Sequence, residues 1–168
     1  MDGAGLEVAG PGRDGAFEQR MQDVRRQREQ RTAEMFDVPG FEGIVKVELQ
    51  VLGYRKMTDI GMAHVRQRDD ALRALYTAAD QLLAATVGFH KVQPDGTLEP
   101  AEGMTWTMLA QAYDPALNAT VRPRAALIRV LDDGKGVTEL HGEWYGWNTR
   151  GNERVDGELT EDFPGMES

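Results

Sequence analysis

Three histidines, His64, His90 and His141, are the first groups in this chain that invite a chemical reading. His141-Gly142-Glu143 has the His-x-Glu form of zinc deaminases, where the histidine binds metal and the glutamate moves the proton. The other ligands of that chemistry come from a Pro-Cys-x-x-Cys segment, and this chain contains no cysteine. A His-Glu-x-x-His pair, which would hold a protease zinc, is also missing. Gly134-Lys135-Gly136 suggests a phosphate cradle, but the glycine-rich spacing before Gly-Lys-Ser/Thr is absent, so these glycines read as a turn. For acyl transfer there is one serine, Ser168, and no threonine has an identifiable activating base. Glu139 and Glu143 lie four apart and read as the wet face of a helix, and no carboxylate occupies an apolar setting that would raise its pKa. No catalytic, cofactor or metal site is therefore expected, and the chain reads as a binding protein.

Aromatic and methionine side chains are the better candidates for function. Trp144, Tyr145 and Trp147 sit close together near the end of the chain. At helical spacing Trp144 and Trp147 share a stripe with Val137 and Leu140 and are expected to close the core. Tyr145 points elsewhere on the helix wheel and is expected at a contact surface. Trp106 lies between Met104 and Met108, and the chain has eight methionines. Their unbranched, polarisable side chains adapt to varied apolar surfaces.

The elements that must position these groups are legible in outline. Asp37-Val38-Pro39-Gly40 is a turn sequence, because proline presets φ and glycine supplies the positive φ of a tight reversal. After it, Val45, Val47, Leu49 and Val51 alternate with Lys46, Glu48 and Gln50, the period of a strand with one dry face. A hairpin over 32–53 follows, with a first strand near 32–38 and a second near 43–53. Met57 to His64 reads as a short helix. Asp69 to Val87 is the clearest one, with Leu72, Leu75, Tyr76, Ala79, Leu82, Leu83 and Val87 on one face and Gly88 at its end. Pro94-Asp95-Gly96 marks a second, smaller hairpin. Short helices are expected at 105–112, from Asp114-Pro115 through Asn118, at 124–131 after Arg122-Pro123, and at 136–147. The fold class is thus α+β and mostly helical, an N-terminal β-hairpin followed by a compact cluster of four to five helices.

Residues 1–31 read as a flexible, arginine-rich leader, partly helical from Ala16, whose thin apolar stripe is Phe17, Met21 and Val24. Residues 32–150 form the single globular domain, with helices over 57–147, and 151–168 an acidic disordered tail. The formal charge is −9, from 28 acidic and 19 basic residues. That sign opposes binding to phosphate backbones, so nucleic acid is an unlikely partner despite the arginines at 20, 25, 26, 28 and 31. No run of eighteen apolar residues predicts a membrane span, and no secretory leader is recognisable. The lack of cysteine fits a reducing cytoplasm.

The order of these features resembles that of tail assembly chaperones of long-tailed bacteriophages, especially those infecting actinobacteria. The matching parts are the leader ending Arg28-Glu29-Gln30-Arg31-Thr32-Ala33-Glu34, then Phe36-Asp37-Val38-Pro39-Gly40-Phe41-Glu42-Gly43 and Ala79-Asp80-Gln81-Leu82-Leu83. Pro94-Asp95-Gly96, Tyr113-Asp114-Pro115-Ala116-Leu117, Arg124-Ala125-Ala126-Leu127, Val137 to His141 and Tyr145-Gly146-Trp147 follow. The resemblance spans about residues 25–160. It implies a non-enzymatic protein that binds the long helical tape measure protein in the host bacterial cytoplasm. That client stays soluble until tail tube protein replaces the chaperone. Family members often exist in two lengths, the longer made by frameshifting near the C-terminus. Client contacts are then expected along Val45, Val47, Leu49 and Val51, at Trp106 and at Tyr145. Self-association is expected through the hairpin edge or the Phe17–Val24 stripe. The alternatives are a virion structural component, such as a head–tail connector or minor tail protein, and a regulatory module using the arginine arm.

Overall fold

The computed structural model describes residues 15–27, 33–118 and 120–162, the stretch 151–162 by its backbone alone. The chain divides into two units, Ala33–Asn148 and a second made of the chain ends, Met1–Thr32 with Thr149–Ser168. The first unit carries the sheet and the core.

Strand β1 (Ala33–Asp37) and strand β2 (Val45–Gln50) pair antiparallel, with Phe36 opposite Val47 and Asp37 opposite Lys46. The turn between them closes through Phe41 N–H donating to the Val38 carbonyl at 2.8 Å. Gly40 takes φ +88° there, as a type II turn with proline before glycine requires. Lys46 Nζ bonds Asp37 Oδ1 at 2.8 Å across the pair.

The hairpin is only half of the sheet. Strands β3 (Thr86–Val92) and β4 (Leu98–Pro100) extend it to an antiparallel four-stranded meander in the order β1-β2-β3-β4. The Pro94-Asp95-Gly96 turn joins β3 and β4, and Asp95 Oδ1 accepts from the Thr97 amide at 2.9 Å and its hydroxyl at 2.6 Å. A two-stranded hairpin is marginal in water, so recruitment of β3 answers a physical need. It also makes β2 a central strand.

Six helices lie among the described residues. Helix α1 (residues 15–27) belongs to the second unit. In the first, α2 (Tyr54–Ala63) and α3 (Asp70–Ala85) connect β2 to β3. The α3 N-terminus is capped by Asp69, whose Oδ1 accepts from the Leu72 amide at 3.0 Å. Helix α3 stops before Val87, which the sequence pattern places on its apolar face. Thr86 leaves helical geometry, β3 begins there, and Val87 is exposed. β-Branched Thr86 and Val87 favour the extended state once β2 offers a pairing edge.

Helix α4 (Trp106–Tyr113) is capped by Thr105, and α5 (Pro123–Val130) begins with proline at its first turn. No helix forms at Asp114-Pro115. Asp114 Oδ1 accepts from the Ala116 amide at 3.1 Å, so the carboxylate organises a turn in place of a cap. A 3₁₀ turn (Asp132–Gly134) leads into α6 (Lys135–Asp162). Its backbone stays helical past Asn148, where the sequence pattern suggests loose chain, because extending an established helix is cheap compared with nucleating one. Residues 1–14, 28–32 and 163–168, where much of the leader and tail falls, lie outside the described residues.

The core packs the inward face of the sheet against the helices. Val45, Val47, Leu49 and Phe89 meet Ala79 and Leu82 of α3, Leu127 of α5, and Val137, Leu140 and Trp144 of α6. Trp144 is wholly buried and its Nε1–H donates to the Gln50 carbonyl at 3.0 Å. Trp147 packs edge-on to Phe36 at 5.7 Å. Both tryptophans therefore close the core, as the stripe predicts, and they do so against the sheet. No helix among the described residues is long and apolar enough to cross a membrane.

Candidate interaction surface

Four of the six residues singled out for partner binding are withdrawn from solvent. Val45, Val47 and Leu49 are 3%, 0% and 0% exposed, because the alternating face of β2 is the core face of a covered sheet. With β3 on its second side, β2 has no free edge to offer a partner. A charge placed at Val47 or Leu49 would unfold the unit before it reported on any client. Trp106 is also buried, edge-on to Phe89 at 5.0 Å, and its Nε1–H donates to Thr86 Oγ1 at 2.9 Å. Val51 is half-buried in the link between β2 and α2. Tyr145 is exposed, as its place on the helix wheel predicts.

Accessible apolar surface gathers instead in a groove of about 450 Å³ bounded by the β1–β2 turn, the end of β3 and α4. Phe41, Ile44, Val92, Met104, Leu109 and Tyr113 line it. Ile44 is 62% exposed and Tyr113 49%, and their rings and branches form the lips. Phe41 meets the Tyr113 ring edge-on at 5.5 Å, which fixes one wall. Behind that wall Arg129 ties α5 to the loop after α4, bonding Asp114 at 3.2 Å and Asp133 at 3.1 Å. These carboxylates hold the guanidinium even more firmly protonated than usual. Ile44 carried a signal in the sequence. It stands in phase with Lys46 and Glu48 on the wet face of the strand, where an apolar side chain is out of place.

A second hollow, about 580 Å³, runs over α3 between small residues such as Gly61, Ala74 and Ala78, with Arg73 and His141 at its margins. His141 Nε2 contacts Gln81 Oε1 at 2.7 Å, while Gln81 Nε2 donates to the Met57 carbonyl at 3.3 Å. The amide orientation obliges His141 to be the donor, so its Nε2 carries hydrogen. Burial pushes the imidazole below the ordinary histidine value. Glu143 and Glu139 are exposed, so His141-Gly142-Glu143 does not converge on a common point. Nearby, Asp80 on α3 receives His64 Nε2 at 2.5 Å and Arg124 Nη1 at 3.1 Å, and Arg124 stacks over Tyr76 at 4.4 Å. That cluster knits the end of α2 to α3 and α5. Among the described residues no group of three histidines and carboxylates is placed to hold a metal ion.

No protein-family model matches this chain, and comparison with curated proteins and with solved structures returns no match.

Proposed function

We propose that this protein is a tail assembly chaperone of the long-tailed phage type. In the host cytoplasm it binds a long helical tape measure protein and keeps it soluble until tail tube subunits displace it. The observation that carries the reading is the ordered series of motifs from about residue 25 to 160, running from the arginine-rich leader through Phe36–Gly43 to Tyr145-Gly146-Trp147. The surface is compatible with the task. Ile44, Met108, Tyr113 and Tyr145 stay largely exposed on a chain otherwise rich in charge. Single apolar residues of this kind offer moderate affinity that a polymerising tube can overcome. Client contact is accordingly assigned to Tyr145 and this exposed set, and not to the buried β2 face.

Co-expression with the long helical protein encoded immediately downstream, followed by affinity purification and mass measurement, tests the reading. The expected result is a soluble complex holding several copies of this chain per client. A client that stays insoluble while this chain elutes alone would overturn it. Recovery of the chain from purified particles would then favour the virion-component alternative.

A further inference from the structure

The groove beside α4 has the size and lining of a site for a small molecule. Among the described residues ten line its volume of about 450 Å³. Stable contacts between proteins engage about 20–30 residues a side, whereas pockets for small ligands span about 300–1,000 Å³. The main chain around the groove is already satisfied. The Ile44 and Val45 amides donate to the Phe41 carbonyl at 3.0 and 3.2 Å, and the Val92 amide donates to the Ile44 carbonyl at 2.9 Å. On the opposite wall the Met104 amide donates to the Ala101 carbonyl at 3.1 Å. An extended peptide laid there would find no strand edge to pair with. The occupant must therefore bring apolar surface and few polar groups of its own.

One side chain in the lining selects among such occupants. Lys91 is the single charged residue of the ten. It stands opposite Val45 and two residues after buried Phe89, so its side chain leaves β3 on the core-facing side. It is exposed there, and no carboxylate among the described residues forms an ion pair with it. Its cross-strand neighbour Glu99 accepts instead from the Gln93 side chain. A lone ammonium beside apolar walls is complementary to a chain or ring that ends in one negative charge.

We propose that this groove binds a small amphiphile with a single anionic head, its apolar body against Val45, Met104 and Leu109 and its head at the Lys91 ammonium. The site is a property of the purified chain and stands whether or not a client is bound.

Titration calorimetry of the full chain with decanoate, and separately with decyltrimethylammonium, provides the test. The net charge of −9 draws the cation to the molecule as a whole, so a preference for the anion isolates the groove. Decanoate should saturate one site and bind roughly fivefold more tightly than the cation. Lys91→Met keeps an unbranched side chain, removes the charge and should erase that preference, whereas Lys91→Arg should keep it. Ala112 is exposed on α4 and lines the groove, so Ala112→Trp fills the site without touching the core. That variant should abolish decanoate binding. Absence of saturable binding by the unsubstituted chain, or an equal or stronger response to the cation, would overturn the inference. So would a decanoate affinity left unchanged by Lys91→Met or by Ala112→Trp.

Discussion

His141 holds a titratable ring between the buried amide of Gln81 and the rings of Trp144 and Tyr145, each 5.6 Å away. Its pKa lies below the ordinary value because burial penalises the charged form. The unfolded ring titrates near 6.5. Above about pH 6.5 both states are neutral there and its contribution to stability is fully present. As pH falls below that value the unfolded chain takes up the proton first, so stability declines toward the depressed folded pKa. His141→Gln keeps an N–H for Gln81 and removes the titration. Urea midpoints at about pH 7.5 and 5.5 should therefore differ less in the variant than in the parent. An equal drop in both would show that other groups, such as carboxylates, account for the whole acid sensitivity. Nothing in the spacing of His141-Gly142-Glu143 foretold this role, because the partner amide lies sixty residues away in sequence.

At the scale of elements, the junction between α5 and α6 leaves little room for a side chain. Gly134 takes φ +115° beneath Leu75, and the Gly136 amide donates to the Leu131 carbonyl at 2.8 Å. A β-carbon on Gly136 would lie 3.0 Å from both that oxygen and Leu131 Cβ. Gly136→Ala should destabilise by about 1–3 kcal/mol, since backbone cannot yield as a flexible side chain does. The check is a lowered urea midpoint with an unchanged slope; an unaltered midpoint would mean the junction relaxes freely. Of the Gly134-Lys135-Gly136 segment that the sequence suggests is a turn, Gly134 closes the 3₁₀ turn, while Lys135 and Gly136 open α6. The strands of the first hairpin and the Val137–Trp147 stripe were legible because periodicity within each segment reports burial. The end of α3 was not. Val87 keeps the helical spacing of Leu83, yet it stands in β3 at a register shift, between Gly88 and Thr86, which pair with Glu48 and Leu49 of β2, about forty residues earlier. The same non-local pairing turned β2 from an exposed edge into the centre of the sheet. That reversal buries Val47 and Leu49, and the accessible apolar surface lies in the groove beside Ile44 instead.

At the scale of the molecule, charge and apolar surface make opposite demands that salt can separate. Between residues 33 and 148 sixteen carboxylates oppose eleven lysines and arginines, while residues 15–31 carry a small positive excess. Affinity for duplex DNA through those arginines would rest on counterion release, and it would fall with salt at a slope of roughly −0.9 per phosphate neutralised. With a net charge of −9 on the whole chain, binding to random duplex DNA should be absent at about 0.15 M salt, as read by fluorescence anisotropy. Apolar docking behaves otherwise, because at about 1 M salt the screening length is only about 3 Å and hydrophobic contact does not depend on it. A complex with a helical client through Ile44, Met108, Tyr113 and Tyr145 should therefore survive washing at about 0.5 M salt. Retention of client under those conditions, with no DNA binding, is what the chaperone reading requires. Loss of client at that salt, together with DNA affinity abolished by deleting residues 1–31, would instead make the arginine arm the functional element.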